Sequence, residues 1–189
     1  NDLTLDEMHL LTRAVRRGIR QAYLMVDLPH CVCQSVESML DAAKRLTTEG
    51  AHGIKMEGFR PDAVQALRAA GIEVWTHLGY TPQLEAKPRK IGKDPDEARA
   101  LLEQSQALCE AGAVGHILEL VDSMAAKAVS ESLPIPVIGI GAGKHCDGQV
   151  QVWHDLIGLT EQRYRHACRL AEARELQLAA VREYCHRVR

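Results

Sequence analysis

Lys55 and Glu57 stand two positions apart in "GIKMEGF", residues 53–59. The segment reads as a short buried strand, and in a strand side chains alternate between faces, so this ammonium and this carboxylate point the same way. Leaving either charge buried without a partner costs several kcal/mol. Other apolar segments also end in polar groups. Asp27 closes "YLMVD", His77 closes "VWTH", Glu119 closes "HILEL", Asp147 follows "IGIGAGKHC", and His154 and Asp155 close "VQVWHD". A single acid at a strand end reads as a loop cap or a salt-bridge partner. Several such groups converging on one mouth need a common partner. A hard divalent cation with oxygen ligands suits Asp27 and Glu57. The Lys55 ammonium suits a substrate carboxylate or an enolate oxygen. A Lys55–Glu57 ion pair sealing the mouth is the structural alternative. His77 either orients a ligand or bonds a backbone carbonyl, and His9, His52 and His116 read as surface or strand-edge histidines.

Positioning these groups requires strands with helices between them. Apolar runs occupy 22–29, 53–58, 72–79, 114–121 and 135–143, with a weaker one at 149–155. The first five are nearly continuous in apolar residues, as strands of a helix-covered parallel sheet are. Helical patterns lie between them. "SVESMLDAAKRLTTEG" opens on a capping serine and stops at Gly50, "RPDAVQALRAAG" carries Pro61 in its first turn, and "DPDEARALLEQSQALCEAG" opens on acids. "SMAAKAVSESL" precedes Pro134, a helix-like segment opens the chain, and the carboxyl end reads as helical from about Glu161 to Arg189. Strand and helix in alternation mean an α/β fold with a parallel sheet. The regular helix closures "TEGA", "AAGI" and "EAGA" favour a (β/α)8 TIM-barrel type over a doubly wound sheet. Such barrels place their chemistry at the carboxyl ends of the strands. About six strands are legible, so the expectation is a single partial barrel over residues 1–189 that lacks the first two strands.

Bulk properties exclude several function classes. The 189 residues carry a formal net charge of -2 with no basic stripe, which speaks against nucleic acid as a partner. No apolar run reaches the ~20 residues of a membrane span, and the amino terminus lacks a signal-peptide pattern. The six cysteines are scattered apart from Cys31 and Cys33, as reduced cytoplasmic thiols would be; that pair leaves metal or redox chemistry as a minor reading. "IGIGAG" matches neither a dinucleotide fingerprint nor a Walker loop, and its small residues are expected to let the backbone turn tightly.

Several of these stretches together resemble the ketopantoate hydroxymethyltransferase (3-methyl-2-oxobutanoate hydroxymethyltransferase) family of the phosphoenolpyruvate/pyruvate barrel superfamily. They are "AVRRGI", "DLP" at 27–29, "IKMEG" at 54–58, "HLGYTPQ" at 77–83, "LEL" at 118–120, "IPVIGIGAGKHCDGQVQVWHDLIGLT" at 135–160 and "AAVREY" at 179–184. The resemblance implies that Asp27 ligates Mg2+ and touches the keto acid. It implies that Lys55 binds that substrate, that Glu57 stands in the metal's shell, and that Glu119 is the catalytic acid/base. The implied reaction moves a hydroxymethyl group from 5,10-methylenetetrahydrofolate to 3-methyl-2-oxobutanoate through an Mg2+-stabilised enolate, in pantothenate synthesis. The implied assembly is a homo-oligomer, a decamer of two pentameric rings.

The sequence also departs from that pattern. In the family two strands precede the segment that opens this chain, and they carry a tyrosine-aspartate motif and a glycine-aspartate-serine motif, the latter with a further metal ligand. "EGF" replaces "EGG", "HCVC" follows "DLP", and the loop after "TPQ" is shorter. A truncated chain, a complementing segment from another subunit and a divergent homologue are the three expectations. Two other functions stay open beside the transfer: another Mg2+-dependent enolate reaction such as a carbon–carbon lyase, and a non-catalytic assembly or binding protein.

Overall fold

The apolar run at 22–29 becomes β1 (Met25–Asp27), and the next four become β2 (Gly53–Glu57), β3 (Glu73–Gly79), β4 (Gly115–Glu119) and β5 (Val137–Ile140). The computed structural model describes residues 3–164 and 166–189. With β6 (Gly148–Gln149) these strands form one sheet whose spatial order is the chain order. Each pairing from β1 to β5 is parallel. A doubly wound sheet reverses its order at a switch point, whereas a barrel does not. The sheet is accordingly a curled six-stranded portion of a TIM-barrel type fold.

The helices form where the sequence supplies caps. α1 (Leu5–Gly18) begins with a reciprocal capping box between Thr4 and Glu7. α2 (Val36–Thr48) is capped by Ser35, α4 (Pro95–Glu110) by Asp94 and α5 (Ser123–Ser132) by Asp122, while α3 (Pro61–Ala69) has its proline in the first turn. The expected stops at Gly50, Gly71 and Gly112 have φ of 98°, 78° and 107°, the left-handed region that suits glycine. Gly141 and Gly143 do take positive φ in the turn after β5.

Register sorts the sheet into two chemical faces. Residues paired across a parallel ladder point the same way. Val26, Ile54 and Val74 therefore share one face with Met56, Leu118 and Val137, all buried in the hydrophobic core with Met39, Leu46, Leu67 and Leu108 of the helices. The other face carries the charged residues. Level with Lys55 in the ladder it carries Trp75, whose ring passes so close to Gly115 that a Cβ there would lie 2.4 Å from it. Glycine is thus required by contact, not by backbone angle.

The chain divides into two compact units, Asn1–Gly148 and Gln149–Arg189. The first contains α1 to α5 and β1 to β5. In the second, α6 (Trp153–Leu156) and α7 (Ala173–Arg187) are helical. Two expectations need correction here. Of the weak strand at 149–155, only Gln149 belongs to β6, and His154 and Asp155 lie in a helical turn that starts after Val152. Thr160 Oγ1 donates to the Asp155 carboxylate at 2.6 Å, closing that turn locally. The carboxyl-terminal helix starts at Ala173 rather than near Glu161; between them, Leu170 N–H and Ala173 N–H bond the carbonyls of Leu156 and Ile157 instead of continuing a helix. Arg165 of that stretch lies outside the described residues. No side chain of α7 is buried, in keeping with its mixed apolar and charged sequence. Among the described residues no helix is long and apolar enough to cross a membrane.

Candidate active site

The strand register collects the predicted side chains at one end of one face. Asp27 pairs with Lys55, Glu57 with His77, and Gly79 with Glu119. Asp27, Glu57, His77 and Glu119 lie in the carboxyl-terminal part of their strands, where barrels of this type carry their chemistry, and Lys55 stands at the middle of β2. Asp27, Lys55, Glu57, His77 and Glu119 thereby come from four adjacent strands.

Their contacts run in series. Lys55 Nζ lies 3.0 Å from Asp27 Oδ2 and 3.3 Å from His77 Nδ1. His77 Nε2 lies 3.3 Å from Glu119 Oε2, and its Nδ1 lies 3.5 Å from Glu57 Oε1. The Glu119 approach is a charge contact, because its direction is off-line for a hydrogen bond and leaves Nε2 without a hydrogen-bond partner. Glu57 accepts a hydrogen bond from the Gln83 backbone N–H through Oε2, at 2.8 Å. Lys55 therefore turns to Asp27, and the sealing Lys55–Glu57 pair is replaced by a wider network.

Burial and charge pull against each other in this network. His77 is 2% exposed, and burial alone would disfavour its charged form. The Glu119 and Glu57 carboxylates outweigh burial and hold its protonation above the ordinary histidine range. Burial likewise opposes the charge on Glu57, yet His77 and the Gln83 N–H hold its carboxyl below the usual range. An ammonium only donates, so Lys55 favours a lone pair on Nδ1 and a proton on Nε2, facing Glu119. When the ring is doubly protonated, Nδ1 turns a proton toward Glu57 as well.

Local backbone geometry aims Glu119. Its carbonyl accepts from Tyr80 N–H at 2.8 Å. Leu120, the next residue, has φ of 50°, a left-handed conformation that costs a leucine energy. It is held there by Leu120 N–H bonding Ile140 O and Ile91 N–H bonding Leu120 O, both at 2.9 Å. Gly79 has φ of 90° and lies so close that a Cβ would sit 2.3 Å from the Glu119 carbonyl oxygen.

Other predicted positions lie elsewhere. Asp147 is at the amino end of β5, not at the mouth: its Oδ2 accepts from Val137 N–H at 2.8 Å, and its own N–H bonds Val137 O. His154 and Asp155 belong to the second unit, as described. His116 is not a surface histidine but fully buried on the helix-facing side. Its Nε2 faces Ser105 O at 3.0 Å and must carry the proton, which leaves Nδ1 to accept from Thr76 Oγ1. Burial pushes its pKa down to about 4. Cys31 and Cys33 contact separate carbonyls, those of Leu3 and Pro29. His77 and Gln83 are the participants that residue types alone do not single out. The signal for His77 is its register opposite Glu57.

A hard divalent cation requires oxygen donors. Among the described residues no three His, Cys, Asp or Glu side chains cluster as a ready-made metal cage. Mg2+ does not need one, since it is commonly bound by one or two carboxylates with substrate and water completing six oxygens. The Asp27 side chain is 42% exposed and borders a cavity of about 470 Å3 that Gln83 and His30 also line. Asp27 therefore offers a hard oxygen toward open space and fits such a cation. Glu57, already engaged by Gln83 and His77, fits a place behind it.

Comparison with known proteins identifies the family and the fold. The family model described as ketopantoate hydroxymethyltransferase matches residues 1–189. The 3-methyl-2-oxobutanoate hydroxymethyltransferase of Chloroflexus aggregans is 44% identical over 99% of this chain and 69% of its own length. That of a Thermus thermophilus strain is 41% identical over 99% of this chain and 74% of its own. Among solved structures, phosphonopyruvate hydrolase shares the fold with a TM-score of 0.59 at 17% identity, covering 100% of this chain and 67% of that one.

Proposed function

The chain belongs to the ketopantoate hydroxymethyltransferase family, and on that premise we propose that its strand-end cluster carries the family reaction with Mg2+ and 5,10-methylenetetrahydrofolate. As a member it is a transferase of pantothenate biosynthesis, and its relatives bear the name 3-methyl-2-oxobutanoate hydroxymethyltransferase. The observation that carries the mechanistic reading is the unbroken series Asp27–Lys55–His77–Glu119 across the mouth.

The Asp27–Lys55 pair is the receptor for a 2-keto acid and its cation. The pair is closed on itself at 3.0 Å, and each half has a complement in the bound state. Lys55 passes its charge to the anionic substrate, and Asp27 gives its oxygen to Mg2+, with Glu57 in the metal's shell. Mg2+ supplies Lewis acidity that favours the enolate of the keto acid. Glu119 accepts the proton from C3 of 3-methyl-2-oxobutanoate, a task that suits a positioned carboxylate. His77, wedged between Glu57 and Glu119, favours the ionised form of Glu57 and keeps the two carboxylates apart. The carbon freed of its proton bonds the methylene carbon of the folate while both C–N bonds to that carbon break; water supplies the hydroxyl, and the proton taken by Glu119 together with the second proton of water goes to the two nitrogens of the departing tetrahydrofolate. By the same reading the partners are small molecules and further copies of the chain, as a cytoplasmic homo-oligomer of the decameric kind.

Proton exchange at C3 of 3-methyl-2-oxobutanoate in deuterated water, without folate, tests the chemistry apart from the transfer. We expect Mg2+-dependent exchange in the native protein. Glu119→Gln should slow it by a factor of ~10²–10⁴, the usual worth of a general base, while calorimetric binding of the keto acid persists. A folded protein that neither binds nor exchanges the keto acid is the non-catalytic member of the family instead.

A further inference from the structure

Gln83 ties together two strand ends of the site from outside the sheet. It sits in the turn after β3, where Leu84 N–H and Glu85 N–H both bond Thr81 O at 2.9 Å. From this turn its backbone N–H reaches Glu57 Oε2 at 2.8 Å. Its side-chain Nε2 donates to the carbonyl of Leu28 at 3.2 Å. Leu28 directly follows Asp27, and its own N–H bonds Lys55 O at 2.9 Å. The residue after Asp27 is therefore gripped at both ends, by β2 through its N–H and by Gln83 through its C=O. The turn is anchored in its own right, because Tyr80 N–H holds the Glu119 carbonyl and Thr81 is 6% exposed.

We propose that Gln83 is a positioning residue: its side-chain amide fixes the end of β1, and with it Asp27, relative to the Glu57 carboxylate that its backbone holds. The inference rests on the reading that Asp27 and Glu57 serve the keto acid and its cation. The amide is the right chemistry for the task. The Leu28 carbonyl needs a donor, and a neutral one adds no charge beside Asp27, Lys55 and Glu57. A glutamate in its place would set a carboxylate against a carbonyl and lose the donor. Groups that orient a binding carboxylate from behind are typically worth ~10–100-fold in affinity.

The test uses Gln83→Met, which keeps the backbone N–H on Glu57 and the side-chain volume but removes the donor to Leu28. KM and the calorimetric Kd for 3-methyl-2-oxobutanoate with Mg2+ should rise about tenfold, and kcat should stay within about twofold. Hydrogen exchange of the amides of Leu28 and of residues 30–33 should quicken, while the thermal midpoint stays that of the native protein. Gln83→Glu should match or exceed these effects. Unchanged affinity with unchanged exchange at those amides overturns the proposal. So does a fall in kcat accompanied by a lower thermal midpoint without the KM split, because that is a merely structural role. If the native protein binds no keto acid, the functional reading fails separately, and the exchange arm alone decides: local quickening supports the tie and its absence refutes it.

Discussion

Asp27 and Lys55 have opposite demands on one ligand pair, and removing one should reveal the other. With the ammonium 3.0 Å from Asp27 Oδ2, any cation approaching that oxygen meets a positive charge. Lys55→Met removes both this repulsion and the contact for the substrate anion. Mg2+ alone should bind several-fold more tightly, since a pair whose Asp27 half is 42% exposed is worth about 1 kcal/mol. 3-Methyl-2-oxobutanoate should bind much more weakly in the same variant. Calorimetric titration of each ligand reads both signs, and a parallel fall in the two affinities would contradict the assigned roles. The carboxylates and the lysine were legible in the sequence because strand alternation puts charge on one face. His77 was not assigned, since a histidine at a strand end bonds backbone as readily as side chains. Asp147 was misplaced for a related reason. Sequence distance after β5 suggests the mouth, but the chain doubles back and Asp147 bonds Val137 at the strand's opposite end.

At the scale of elements, the site depends on how closely β3 and β4 approach at their ends. Gly79 combines φ of 90° with a Cβ position 2.3 Å from the Glu119 carbonyl oxygen. Gly79→Ala must shift that carbonyl and the Tyr80 N–H it accepts, and overpacking of this kind costs about 1–3 kcal/mol. A lower urea midpoint and a loss of C3 exchange larger than the lost stability explains are expected. A variant with full exchange would show that Glu119 is aimed without this contact. Five strands and the helices α1 to α5 were readable because buried parallel strands are continuously apolar and glycines end the helices between them. "VQVWHD" failed because alternation over a short window does not distinguish a strand from a loop entering a helical turn. "EQRYRHACRLAE" failed because arginine, glutamate and alanine favour helix, whereas Ala173 and Leu170 spend their N–H groups on Ile157 and Leu156.

Across the whole molecule, two buried histidines tilt stability in opposite directions with pH. His116 is held neutral, with a pKa of about 4 against 6.5 for a free imidazole. Between those values the unfolded chain binds the extra proton, so stability falls on acidification, by about 3 kcal/mol once pH is below both. This contribution is complete above 6.5 and lost toward 4. His77 behaves the other way. Glu119 and Glu57 raise its pKa above 6.5 despite burial, so the folded chain holds the extra proton. Its contribution is complete below that value and is lost as pH rises through the raised pKa. Glu57, with its lowered pKa, adds stability above its ordinary 4.5 that disappears in acid. His116→Gln should therefore flatten the acid limb of a plot of urea midpoint against pH, even though lost packing lowers the whole curve. His77→Gln should instead flatten the limb on the alkaline side. Midpoints measured at about pH 5 and about pH 8 separate the two slopes. Curves for both variants that run parallel to the native one would mean that neither ring is held in the protonation state its neighbours dictate.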